Sequence, residues 1–172
     1  MFEIPSLKEL KIEFETSVDY EINLENSTQL ETLSLVRETY PLSEVTLILT
    51  NPKLRTIELF GKIELTNIKD ILLQFQNLER FSLQGPSISL AHSYLEFVTP
   101  NLKQLSVSKL LHLDLPFLSS LQSLELTQQY MSEIEVHDLP SLQEFKILSI
   151  LAKVTLSSLK SLTSIIFSQN MA

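Results

Sequence analysis

Three histidines, His92, His112 and His137, are the side chains best suited to bind a metal or carry a proton near neutral pH. Two of them stand close to carboxylates, His112 by Asp114 and His137 by Asp138. Counted back from Pro116 and Pro140, the two aspartates share a position and the histidines differ by one. Successive side chains of an extended chain point to opposite faces, so this offset turns the imidazoles apart and spoils a shared metal site. Surface His–Asp pairing or simple exposure is the reading, with no metal and no cofactor. His92 reads as solvated. Glu135 and Asp138 would be the paired carboxylates if this were a carbohydrate-cleaving solenoid. Such a groove needs several acids and aromatics, and the chain has no Trp and only four Tyr. Two glycines cannot build a phosphate-cradling loop, and the many serines lack a nucleophile–base motif. No catalytic residue is assigned, and the chain is expected not to be an enzyme.

A binding constellation is the stronger reading. Val36 and Phe60 fall at the same position of neighbouring sequence repeats, so they should touch, and Arg80 lies one repeat further on. Adjacent exposed apolar residues are an interaction signal, and aromatic and arginine side chains dominate binding hot spots. With their neighbours Glu58 and Gln84 these residues form the expected partner-binding set: Val36, Glu58, Phe60, Arg80 and Gln84. Ordinary cross-strand packing is the plain alternative.

The elements that must hold these side chains are set by a repeat. A line of the form L-x-x-(L/I/F)-x-(L/I/V/F) starts at Leu7, Leu30, Leu54, Leu78, Leu102, Leu121, Leu142 and Leu162, at spacings of 23, 24, 24, 24, 19, 21 and 20 residues. A fixed period in the twenties marks a stacked array, in which each unit buries its apolar face only against its neighbours. Within a line the residues alternate: Leu105 and Val107 point one way, while Gln104, Ser106 and Ser108 point the other. Each repeat therefore opens with a strand. The short repeats return through a second alternating segment, Leu111–Pro116, Ile134–Pro140 and Val154–Leu156, and Val45, Leu47 and Leu49 alternate likewise. Two long repeats carry helical spacing instead, at Ile68, Ile71, Leu72 and Phe75 behind an Asn67 cap, and at Ala91, Tyr94, Leu95 and Val98. Short helices are expected there. Pro5, Pro52, Pro100 and Pro140 stand just before leading leucines, where a turn should precede the strand. Gly61 and Gly85 follow repeat strands, where a positive φ would be useful.

Bulk composition narrows the function classes. Thirty-five leucines and 44% hydrophobic residues exclude disorder. A net charge of −8 without a basic stripe argues against nucleic acid and against anionic membranes. There is no cysteine, so no disulfide framework exists. No apolar run reaches membrane-span length and no leader is visible after Met1, so a cytoplasmic location is expected.

The eight lines resemble the leucine-rich-repeat family over almost the whole chain, from Leu7 to Phe167. The resemblance implies an α/β fold leaning to mostly β, a single domain over 1–172. It would be a solenoid of about eight coils, with a parallel sheet on the concave face and mixed extended and short helical returns on the convex face. It also implies binding of a protein partner on that concave face, either as a module or as the substrate-reading part of a larger assembly. A structural or adhesive surface segment is the alternative, and a β-solenoid enzyme a third. The family's asparagine ladder, three residues after the last apolar position of the strand, is met at one position only: Glu15, Glu38, Lys62, Pro86, Leu110, Gln129 and Ile150 depart from it and Asn170 fits. Neither end carries a polar cap: Ile4-Pro5-Ser6-Leu7 reads like the interior Leu139-Pro140-Ser141-Leu142. A segment of a longer array, or self-association through uncapped ends, is the expectation.

Overall fold

The computed structural model describes residues 4–15, 20–37, 43–49, 51–61, 63–65, 76–84, 94–96, 99–108, 112–115, 118–127, 133–148 and 153–168. Every regular element among them is a strand. The leucine-rich lines form β1 (Glu9–Glu13), β3 (Thr32–Arg37), β5 (Thr56–Gly61), β7 (Arg80–Gln84), β9 (Gln104–Ser108), β11 (Ser123–Thr127), β13 (Glu144–Leu148) and β15 (Ser164–Ser168). They pair in that order, all parallel, in one eight-stranded sheet. The return halves hold β2 (Tyr20–Asn23), β4 (Ser43–Ile48), β6 (Ile63–Leu65), β8 (Tyr94–Glu96), β10 (His112–Asp114), β12 (Glu133–His137) and β14 (Lys153–Ser157). These gather in separate parallel sheets of three, two and two strands. The chain is a mostly β solenoid with one continuous wall and, among the described residues, an opposite wall in three pieces.

Register explains the core. Inward residues stack in two rows along the large sheet, one through Leu33, Ile57, Phe81, Leu105, Leu124 and Phe145, the other through Leu35, Leu59, Leu83, Val107, Leu126 and Ile147. The leading leucines Leu30, Leu54, Leu78, Leu102, Leu121 and Leu142 add a third, and all of these are buried. Burying one such side chain stabilises by about 1.5–3 kcal/mol. The rows join the return-wall residues Ile22, Val45, Leu47, Ile134 and Val136 in one apolar cluster.

Entry to each strand is built the same way. The leading leucine's N–H donates to the carbonyl three residues back, as in Leu7→Ile4, Leu54→Asn51, Leu102→Thr99 and Leu142→Leu139. In these four cases Pro5, Pro52, Pro100 and Pro140 occupy the second turn position, whose φ proline already supplies. The residue after the leading leucine then offers its carbonyl to two N–H groups of the next strand: Glu79 to Lys103 and Gln104, Lys103 to Gln122 and Ser123. This pattern runs from Lys8 to Gln143 and fixes the register before each strand begins.

Two expectations are corrected. The helix expected across Ala91, Tyr94, Leu95 and Val98 is not formed at its centre, where Tyr94–Glu96 is a strand paired in parallel with His112–Asp114. Pairing with the next return overrides a helical spacing that so short an apolar run cannot establish alone. The array is also not eight like coils: among the described residues the return strands form three separate sheets and not a continuous second wall. The helix expected at 67–75, and Gly85, lie outside the described residues.

Candidate functional site

The outward face of the eight-stranded sheet presents three rows of side chains. Its middle row runs Lys11, Ser34, Glu58, Ser82, Ser106, Glu125, Lys146, Ile166. A second row, at the strand starts, holds Thr32, Thr56, Arg80, Gln104, Ser123 and Glu144. The third, at the strand ends, holds Val36, Phe60 and Gln84 in direct register.

The expected binding residues therefore divide. Val36 and Phe60 lie side by side on neighbouring strands, half-buried, with Gln84 next in line. Arg80 does not join them. It opens its strand four residues before Gln84, about 13 Å along the chain direction at strand rise. Its Nη1 lies 3.6 Å from Glu58 Oε1 instead. Glu58 and Arg80 belong to a polar field that continues through Lys146 Nζ and Glu125 Oε2 at 3.3 Å and through the Ser123 hydroxyl donating to Glu144 at 3.3 Å. Gln84 donates to Ser106 Oγ across the neighbouring strands. The small side chains Ser82 and Ser106 leave a shallow depression of about 240 Å³, rimmed by Glu58, Arg80, Gln84, Gln104 and Glu125. The face thus has an apolar rim and a polar field whose charges are already matched to one another.

A second constellation escaped the sequence reading. The residue after each leading leucine alternates in sign through five repeats: Lys8, Glu31, Arg55, Glu79, Lys103. Glu79 sits between two cations, with Oε1 2.9 Å from Arg55 Nη1 and Oε2 2.8 Å from Lys103 Nζ. Glu31, Arg55, Glu79 and Lys103, with Pro52, Lys53, Asn77 and Asn101, line a polar depression of about 560 Å³ beside the strand starts. The hydrogen bond from Lys103, with the charges of Lys103 and Arg55, holds the Glu79 carboxyl below its ordinary value of 4.5, against the opposing effect of desolvation. A depressed carboxylate stabilises the fold fully above 4.5 and loses that contribution as pH falls through its lower folded value. Glu79→Gln should cost about 0.2–1 kcal/mol at neutral pH, as a partly exposed pair does. The difference from wild type should vanish in acid. Urea titrations of both proteins at pH 7 and pH 3 measure this, and an equal gap at the two pH values would exclude it.

Inside the turns a third set appears. Asn51 is buried, and its Nδ2 donates to the carbonyls of Ser27 and Leu30 in the preceding repeat while its Oδ1 accepts from Lys53 N–H. Ser27 and Thr99 are buried at the same repeat position. In the shorter repeats Leu118, Leu139 and Leu159 stand there. An asparagine bridge between neighbouring repeats does exist, three residues before the leading leucine instead of after the strand. The recurrence of Ser27, Asn51 and Thr99 at one offset was its visible signal.

The two described histidines stand on strands of different return sheets. His137 Nδ1 lies 3.0 Å from Asp138 Oδ2, both exposed, and His137 holds the Asp138 carboxyl below its ordinary value. His112 belongs to the β8–β10 pair, whereas His137 belongs to the β12–β14 pair. Glu135 faces solvent in β12. His92 lies outside the described residues. Among the described residues no helix is long and apolar enough to cross a membrane.

The fold and this face define a parallel β-solenoid with one continuous sheet. Compared with protein-family models, curated proteins and solved structures, the chain matches none of them.

Proposed function

We propose that the chain is a divergent leucine-rich-repeat solenoid acting as a non-enzymatic protein-binding module, with its partner on the outward face of the large sheet. The observation that carries this reading is the Val36–Phe60 pair. Two apolar side chains lie in register on adjacent strands, half-exposed, at the edge of a field of polar residues bonded to one another. A partner meets a surface whose side chains are already ordered, so it loses less entropy on docking. Desolvation of Phe60 supplies the energy, and the acidic balance of the chain favours a partner with basic groups beside its apolar contact.

Phe60→Ser tests it. The side chain points away from the core, so the circular dichroism spectrum should stay as in wild type. Affinity capture from the native cell, followed by calorimetry on the captured protein, should show a loss of about 2 kcal/mol or more. Equal affinities with an unchanged fold would exclude the Val36–Phe60 rim. A structural or adhesive role is the second reading, favoured by the exposed apolar strand at Ile165–Phe167.

A further inference from the structure

The two edges of the eight-stranded sheet differ in chemistry. β1 reads Glu-Leu-Lys-Ile-Glu, with Lys11 Nζ 2.6 Å from Glu13 Oε1 on its outward side. Its inward Leu10 and Ile12 are half-buried, and Phe14 just beyond is buried with its ring 4.8 Å from that of Tyr20. β15 reads Ser-Ile-Ile-Phe-Ser and carries no charge. Ile165, Ile166 and Phe167 are 47%, 39% and 60% exposed, and they make up all but one of the large exposed apolar side chains among the described residues. Charged side chains guard an edge strand against pairing; β1 has them and β15 lacks them.

Both edge sequences are close to palindromes, which decides how each meets a copy of itself. Antiparallel pairing of β1 about Lys11 would set Lys11 against Lys11 and Glu9 against Glu13, and directly opposed like charges repel. Antiparallel pairing of β15 about Ile166 sets Ile166 against Ile166, Ile165 against Phe167 and Ser164 against Ser168. Every contact is apolar on apolar or hydroxyl on hydroxyl. On the opposite wall, half-buried Val154 and Leu156 of β14 lie at the same end of the core.

We propose that β15 is a self-recognition edge, and that two copies of this chain join tail to tail by antiparallel β15–β15 pairing about a two-fold axis at Ile166. The sheet then runs on across the axis as one surface, and the inward Ile165 and Phe167 complete each other's core rows. A two-fold arrangement uses the same patch on both copies and closes at the dimer. Head-to-tail stacking of β15 on β1 would give open filaments.

The test uses the chain of residues 1–172. Sedimentation equilibrium should show a concentration-dependent monomer–dimer equilibrium that stops at the dimer. Ile166→Glu places two carboxylates on the axis, each beside Lys146, its register neighbour, which already pairs with Glu125 in the same chain. The dimer should weaken at least about tenfold, with the circular dichroism spectrum retained. The chain has no cysteine, so Ile166→Cys is a clean probe. Directly opposed residues of an antiparallel pair lie within disulfide reach, and mild oxidation should link Ile166→Cys to itself. Phe60→Ser should leave the equilibrium untouched, which separates this interface from the partner face. A monomer at all concentrations would overturn the proposal. So would a cross-link that forms only when Ile166→Cys is mixed with Lys11→Cys, the signature of head-to-tail stacking.

Discussion

Leu105→Ala should lower the unfolding free energy by about 2–5 kcal/mol. Leu105 is 1% exposed and sits between Phe81 and Leu124 in the inward row of the large sheet. The substitution removes three carbons, worth about 2.4 kcal/mol of transfer free energy. A cavity adds to this unless Phe81 and Leu124 can close in, and the carbonyl ladder from Glu79 and Lys103 holds their strands at fixed spacing. The cavity term should therefore persist. Each repeat contacts only its neighbours, so the loss should weaken the stack on both sides. Urea denaturation measures it, with Ser106→Ala on the outward face of the same strand as the reference. A cost under about 0.5 kcal/mol would contradict the inward assignment.

Gly61→Ala should be as damaging, through backbone geometry. Gly61 ends β5, and β6 opens at Ile63, so the chain passes from one wall to the other almost at once. Its φ is +93°, a region that residues with a Cβ seldom occupy. A Cβ built there would lie 1.5 Å from the Arg37 carbonyl oxygen and 2.6 Å from its carbonyl carbon. The obstacle is backbone of β3, paired in register with β5, and cannot rotate aside. Backbone strain of about 1–3 kcal/mol and a packing cost of about 1–3 kcal/mol sum to a loss comparable with that of Leu105→Ala. Thermal unfolding should show it as a fall in Tm with the wild-type spectrum retained below the transition. A Tm within a degree of wild type would mean that the corner relaxes at no cost.

The sequence was most legible where one residue type recurs at one offset. The leading leucines and the alternation after them located every strand of the large sheet, because a stacked core repeats the same demand in each unit. Gly61 was legible for a related reason: with two glycines in the chain, one just after a strand points to a special φ. The extended returns at Leu113, Val136 and Leu156 followed from repeats too short to hold a helix. Tyr94 and Leu95 misled because three residues of strand cannot be told from part of a helical turn by spacing. Their state is set by His112–Asp114, which lie in the next repeat. At the candidate face, register between Val36 and Phe60 was readable by counting. The separation of Arg80 from Phe60 is readable too, since Arg80 opens its repeat strand and Phe60 lies near the end of its own. The Asn51 bridge is not legible from the resemblance, which places asparagine after the strand and not before the leading leucine.

The turn and its shared carbonyl have a consequence for how such a chain can change length. From Leu30 to the Leu162 line, repeat spacing drifts between 19 and 24 residues, yet strand pairing in the large sheet never slips. All of that variation falls between the end of one sheet strand and the turn before the next. An insertion there lengthens the return half and leaves every ladder bond of the large sheet in place. A single added residue between the turn and the strand end would move the inward rows to the outward face for that repeat. The molecule therefore has one wall that tolerates editing and one that forbids it. The exchangeable unit is a whole repeat, cut at the turn, with both halves of its hydrogen-bonding joint intact.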